Sequence, residues 1–477
     1  MPEDRRRKDS LPDRIAARVL IEGVQPEIDA GRFPVKRTVG EEVVVTADIH
    51  ADGHDVLVGV LRYRKSDDPD WRQVPLEELG NDRWLGRFIV AELGRYEYGL
   101  EAWIDRFASW RRELSKKVEA GQDVSSELLE GADLVSKTAR RVSPPSPVNR
   151  GSTSESARHA LNGGNVVQAA ADAEWLGSRA EVLAKRGDSP SRVRAALDPE
   201  LATVMARYAD RSQGTSYEPV LSVVVDRERA RFGAWYEMFP RSAGSDPTRS
   251  ATLREAEARL PQIAAMGLDV LYLPPIHPIG RSFRKGPNNS LVAGPNDPGS
   301  PWGIGSEAGG HKALHPELGT LDDFDHFVAA AKRVGLEIAL DIAFQCSPDH
   351  PYVRQHPEWF RHRPDGTIKH AENPPKKYQD IYPLDLECDA WQSLWQELKS
   401  VLLFWIGHGV RIFRVDNPHT KPYRFWEWLI REVQAEHSDT VFLSEAFTRS
   451  KVMRHLAKLG FNQSYTYFTW RNTKSEL

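Results

Sequence analysis

Three acids stand where a chain of this kind places chemistry. Asp341 closes the run Ile338-Ala339-Leu340-Asp341, Asp416 follows Val410–Val415, and Glu445 follows Val441-Phe442-Leu443-Ser444. Each ends a short apolar stretch that reads as a buried strand. Arg414 lies two residues before Asp416, so alternation puts both on one strand face. A carboxylate beside a guanidinium is favoured in its charged form, which suits a nucleophile or a base. An acid on the neighbouring strand supplies a proton donor, and two carboxyls flanking one bond are what glycoside chemistry requires. The same acids also suit structural ion pairing, Asp341 among them.

The elements that must position these acids begin near residue 229. Thr252 and Glu255 are spaced as a capping box for a helix running to Met266, Gly267 ends it, and Val270-Leu271-Tyr272-Leu273 follows as a strand. Thr320 and Asp323 open the next helix, striped by Phe324, Phe327, Val328, Ala331 and Val334, with Gly335 and the strand Ile338–Ile342 after it. Trp391, Leu394, Trp395, Leu398, Leu402 and Trp405 stripe a third helix before Gly409 and Val410–Val415. A fourth, about Tyr423–Val433, precedes Val441-Phe442-Leu443. Helix, glycine and buried strand in repetition predict a parallel α/β sheet. Ala234–Phe239 makes five strands, and Tyr465–Trp470 is a candidate sixth. A doubly wound sheet and a (β/α)8 barrel both fit the rhythm. In a barrel, functional side chains sit at the C-terminal ends of strands.

Upstream the rhythm differs. Val43–Ile49, Val56–Tyr63, Trp84–Val90 and Tyr96–Ile104 read as short strands divided by turn residues, which predicts an antiparallel sandwich. From 111 to 215, Ala, Glu, Arg and Leu predict helices, with a break at Ser143-Pro144-Pro145-Ser146-Pro147. Leu221–Val225 reads as one more strand, which would make the helical part an insertion. The 477 residues carry 64 Lys plus Arg and 68 Asp plus Glu, a net charge of −4, which excludes a globally basic nucleic-acid binder. No apolar run approaches the roughly 18 residues of a membrane span. Met1–Ser10 is basic without an apolar core, so it is expected to be a solvated tail and not a secretory signal. Two cysteines, Cys346 and Cys388, fit a reducing cytoplasm. No metal-ligand spacing is evident, and no cofactor is expected.

Several stretches carry a family resemblance. Leu340-Asp341-Ile342-Ala343-Phe344, Val410–Asn417 and Phe442-Leu443-Ser444-Glu445-Ala446 resemble the first three signature regions of the α-amylase superfamily. Within it the chain is similar to the α-1,4-glucan:maltose-1-phosphate maltosyltransferases. The matching stretches are Phe344–Pro351, Pro374–Pro383, Asp416–Pro422, Gly309-Gly310-His311-Lys312 and Arg284–Asn289. The basic start reads as a disordered tail over 1–14, and the resemblance implies an N-terminal β-sandwich over 15–110, an inserted helical domain over 111–215 and a returning strand over 216–228. A (β/α)8 barrel follows over 229–477, with loop inserts at about 281–312 and 345–388.

The resemblance also implies roles. Asp416 would be the nucleophile, Glu445 the general acid/base, and Arg414 would hold Asp416 ionised and oriented. Lys285, Gln345, Asp380, Asn417, Lys376 and Tyr378 match positions that bind maltose 1-phosphate. The acceptor would be an α-1,4-glucan, and the implied assembly is a cytoplasmic homodimer. Gln345-Cys346 replaces the Asn-His common in α-amylases, which argues against a calcium requirement. The family's third carboxylate has no match after Glu445, and Glu476 has no motif around it, so the chain is expected to stop before the last barrel strands. The competing readings are a glucan hydrolase or branching enzyme, and an inactive truncated chain that only self-associates.

Overall fold

The computed structural model describes residues 18–143, 166–187, 189–466, 468 and 471–475. The tail expected over 1–14, most of the Pro-rich break at 143–147, and Glu476 lie outside them. By its contacts the chain divides near Val223 into two units, the segments 36–41 and 90–95 going with the second.

The first unit holds two antiparallel sheets and a set of helices. Val19–Gln25, Glu42–Ala51, Arg83–Ile89 and Glu77–Gly80 form one sheet in that order. The other has six strands, among them Leu221–Asp226, Gly94–Ile104, Leu57–Lys65 and Arg72–Pro75 as neighbours in that order. Glu42–Ala51 alternates buried and outward residues along its length, the mark of a sheet wet on one face. Tyr63 and Phe88, one from each sheet, stack with centroids 4.5 Å apart. The helices Arg106–Glu119, Ser125–Val142 and Val166–Ala184 bury Trp110, Leu114, Leu128, Val135, Leu176 and Leu183 together. Gly131 allows this approach: a Cβ there would lie 2.0 Å from the Trp110 ring.

The second unit is built on a parallel sheet. Its strands are β1 (Trp235–Glu237), β2 (Val270–Leu273), β3 (Glu337–Ile342), β4 (Ile412–Val415), β5 (Val441–Ser444) and β6 (Gln463–Ser464), hydrogen-bonded in chain order. Helices Leu321–Arg333, Trp391–Gly407, Tyr423–Glu436 and Ser450–Leu459 connect them. The expected capping box of Thr252 with Glu255 forms, and at the start of the next helix Thr320 makes one with Asp323 as well. The helix expected over 252–266 is instead three pieces, Leu253–Ala256, Glu257–Arg259 and Leu260–Ala265. Pro261 has no N–H for an unbroken ladder, and its ring crowds the preceding turn. The sixth strand lies just before the stretch expected for it; 465 and 466 are not strand, and 467, 469 and 470 lie outside the described residues.

Register sets what the strands present. Tyr272 pairs with Ala339, Ala339 with Ile412, and Ile412 with Val441. One face therefore carries an apolar layer of Val270, Tyr272, Ala339, Ile412 and Val441. Two residues further along, on the same face, Asp341 pairs with Arg414. Phe413 and Phe442 point to the opposite face, with rings 5.8 Å apart.

Candidate active site

The ladder continues one residue past the strand ends. The Asp416 N–H donates to the Ile342 carbonyl at 2.9 Å, and the Glu445 N–H to that of Val415 at 3.0 Å. Since Val415 pairs with Ser444, Asp416 and Glu445 fall on the next rung of adjacent strands. Arg414 lies beneath them. Its Nη1 donates to Asp341 Oδ2 at 2.7 Å and to Asp416 Oδ1 at 3.0 Å. Its Nη2 lies 2.9 Å from Glu445 Oε1. One guanidinium thus joins three carboxylates. Asp341, Arg414 and Asp416 are buried, and Glu445 is half-buried.

The electrostatics divide the acids. Burial, and then the charge of Asp416, push Glu445 above the usual carboxylate range, against the pull of Arg414. A raised carboxyl keeps its proton to higher pH, which suits a general acid. Burial pushes Asp341 up to about 7, with Arg414 and the Tyr272 hydroxyl opposing. That hydroxyl donates to Asp341 Oδ2 at 2.5 Å. The Tyr272 and Tyr465 rings lie 5.7 and 5.8 Å from the Arg414 guanidinium carbon. Neither tyrosine was singled out from sequence. Tyr272 is hidden in an apolar strand run, and its only signal is that it shares the inward face with Asp341 and Arg414.

The other expected residues fall in three places. Lys285 and Asp380 are both buried, 3.7 Å apart. Gln345, just past β3, donates through Nε2 to the Trp302 carbonyl at 3.2 Å, and Trp302 precedes Gly303, whose Cβ position is 3.5 Å from the Asp380 carbonyl. These three residues are therefore brought together. Asn417 takes left-handed backbone at φ +41°, and its N–H donates to Glu445 Oε2 at 3.2 Å. Lys376 and Tyr378 lie on a hairpin strand paired with Ala371–Asn373, Lys376 exposed and Tyr378 half-buried. Among the described residues, no ion pair or hydrogen bond joins Lys376 to the Arg414 cluster.

One group has metal-ligand proximity that its spacing in the chain conceals. Donor atoms of the buried His311, Cys346 and His350 lie within 4.8 Å of one another. Their hydrogen bonds are already committed. His311 Nε2–H donates to the Ala343 carbonyl at 3.0 Å, so its Nδ1 is an acceptor. His350 Nδ1 accepts the Tyr352 N–H at 3.0 Å, so its Nε2–H donates to His311 Nδ1, also at 3.0 Å. A metal on His350 Nε2 would need the ring's proton moved to Nδ1, against the Tyr352 N–H. The donor set as arranged does not fit a metal.

Comparison with known proteins bears on the whole chain. A family model described as alpha-1,4-glucan:maltose-1-phosphate maltosyltransferase, domain N/S, matches residues 17–227. A Myxococcus xanthus protein named alpha-1,4-glucan:maltose-1-phosphate maltosyltransferase is 56% identical over 463 residues, 96% of this chain and 66% of that protein. One of the same name from Rhodospirillum rubrum is 50% identical over 491 residues, 100% of this chain and 68% of that protein. The crystal structure of an alpha-amylase from Lactobacillus plantarum aligns with 49% of this chain and 49% of its own at 29% identity, with a TM-score of 0.40. The chain spans about two thirds of the length of the curated relatives it matches.

Proposed function

Since this chain belongs to the α-1,4-glucan:maltose-1-phosphate maltosyltransferase family, we propose that the protein carrying it transfers maltosyl units from α-maltose 1-phosphate to the non-reducing end of α-1,4-glucans. Asp416 attacks the anomeric carbon, the bond from that carbon to the phosphate oxygen breaks, and Glu445 gives its proton to the leaving phosphate. The 4-hydroxyl of the glucan then attacks the maltosyl-Asp416 ester, and Glu445 takes the hydroxyl proton. Two displacements retain the α configuration. The observation that carries this reading is the single Arg414 guanidinium holding Asp416 at 3.0 Å and Glu445 at 2.9 Å. Two carboxyls on one rung of adjacent strands, sharing one cation, suit the nucleophile and the proton donor of a double displacement.

Lys285, Gln345, Asp380, Asn417, Lys376 and Tyr378 form the donor site in this reading. The first unit is a β-sandwich with an inserted helical domain, the second a (β/α)8-type barrel, and the assembly a cytoplasmic homodimer that needs no cofactor. No helix among the described residues is long and apolar enough to cross a membrane. The test is phosphate release from maltose 1-phosphate by the full-length protein, with and without a short α-1,4-glucan. Acceptor-dependent release with lengthening of the glucan is expected. Glucan hydrolysis or branching without phosphate release, or no turnover by folded protein, would overturn the assignment.

A further inference from the structure

The cations around the candidate site differ in how far their charge is already matched. Arg414 faces three carboxylates within 3.0 Å. Lys285 faces Asp380. Lys421 faces none so closely: among the described residues its ammonium has only neutral oxygens in reach, the Asn417 carbonyl and Thr420 Oγ1, both at 3.5 Å. Those contacts are at the limit of a hydrogen bond. Burial works against its charge, while Asp416 and Glu445 favour it from further away.

Its placement follows from the backbone. The left-handed Asn417 turns the chain off β4 into the single turn Pro418–Thr420, and Lys421 ends that turn. The Asn417 N–H holds Glu445, and the Asn417 carbonyl faces the Lys421 ammonium. A proton donor must sit at the leaving-group oxygen, so a cation tied to the same residue as the donor lies on the leaving-group side. A phosphate leaving group carries negative charge that needs a matching cation. His419, half-buried on the same turn, has its pKa lowered by burial and by Lys421, so Lys421 is the better-charged group there.

We propose that Lys421 binds the phosphate of the donor and neutralises the charge that gathers on it as the bond to the anomeric carbon breaks. The electron pair of that bond goes to the phosphate oxygen, Asp416 supplies the pair that replaces it at carbon, and Glu445 supplies the proton. This rests on the function proposed above and adds to it the residue that selects a phosphorylated donor over a plain sugar. The groups bearing on the Lys421 charge are Asp416 from the end of β4, Glu445 from the end of β5, and His419 from its own turn.

Calorimetric titration of the full-length protein with maltose 1-phosphate and with maltose tests it, on wild type, Lys421→Met, Lys421→Gln and Lys421→Arg. Wild type is expected to prefer the phosphorylated sugar. Either neutral variant should lose about 10- to 100-fold in affinity for maltose 1-phosphate and stay within about twofold for maltose, and Lys421→Arg should recover part of the loss. A neutral variant that keeps the wild-type preference overturns the role of Lys421 and leaves the proposed function standing. Equal weakening for both sugars also overturns it, since a structural role would do that. A wild type without any preference for the phosphorylated sugar removes both readings.

Discussion

Two buried polar clusters lie in the second unit, and they solve burial in opposite ways. Around Arg414 the protein buries charge: one guanidinium faces Asp341, Asp416 and Glu445, with more acid than base present. Around His311 it buries polarity without charge. His277, His311 and His350 are pushed down by burial to about 3, 4 and 2. His311 and His350 each keep one donor and one acceptor nitrogen, and their chain of bonds ends on the Ala343 carbonyl and the Tyr352 N–H, while His277 Nδ1 bonds separately to the Ala313 carbonyl. A neutral imidazole with both nitrogens partnered costs little to bury, whereas a carboxylate does so only beside a cation. The first arrangement leaves an unbalanced charge that a reaction can use. The second leaves nothing unbalanced, and its work is to fix the loops carrying Gln345 and Cys346 beside β3.

The comparison breaks most plainly at Arg414. Arg414→Met leaves three carboxylates without their cation. A loss of at least about 10⁴-fold in transfer activity is expected, together with about 3–5 kcal/mol of stability from the uncompensated buried charge. Phosphate-release kinetics and urea unfolding would read the two effects. A variant with near-normal turnover would mean that the acids do not depend on the shared guanidinium.

The neutral cluster should respond in stability and not in chemistry. The His350 ring is clasped so closely that a Cβ on Gly305 or Gly310 would come within 2.2 or 2.3 Å of it. His350→Phe strips His311 Nδ1 of its donor and the Tyr352 N–H of its acceptor. A cost of about 3 kcal/mol is expected in urea unfolding, with turnover per folded molecule within about threefold. A larger drop in turnover than in stability would show that the cluster acts on the reaction.

The two clusters should also separate by pH. The histidine pKa values are lower folded than unfolded, so the stability they lend is complete above the unfolded value of about 6.5. It is lost as pH falls toward about 4 and below, where protons bind the unfolded chain first. Each histidine then adds a slope of about 1.4 kcal/mol per pH unit. Melting temperature against pH should flatten over pH 4–6.5 in a His311→Asn variant. An unchanged slope would remove the histidines from the acid response.

How far the sequence reveals these clusters depends on how each is assembled. The charged one is local in its logic. Asp341, Arg414, Asp416 and Glu445 sit at the ends of apolar runs, and strand alternation plus parallel register puts them together without any long-range information. The neutral one draws His277, His311 and the segment Cys346–His350 from three separate stretches of the chain, so no single spacing announces it. Short elements were hidden for a related reason. β6 is two residues long, too short to show a period, and Ser450–Leu459 precedes it as a helix that the reading of the sequence passed over. Val19–Gln25 was missed because its central Gly23 and the shift of register around it blur the alternation. Lys421 escaped notice because a loop lysine is ordinarily solvated, and only its lack of a close carboxylate in the fold sets it apart.

The finest test of the contrast is a single oxygen. Tyr272 contributes a neutral hydroxyl to the charged cluster, donating to the same Asp341 Oδ2 that Arg414 Nη1 holds at 2.7 Å. Tyr272→Phe keeps the ring against the guanidinium and removes only that bond. The hydroxyl favours ionised Asp341, so its loss raises a carboxyl that burial has already pushed to about 7. At neutral pH more Asp341 then carries a proton, and Arg414 loses the partner that fixes it under Asp416 and Glu445. A fall of about 10-fold in kcat is expected, smaller than at Arg414 because the cation remains. Because the shift is upward, activity should recover as pH rises, and the acid limb of the kcat profile should move to higher pH. A uniform loss at every pH would mean that Tyr272 only fills space; no loss would mean that the ion pair with Arg414 alone anchors Asp341.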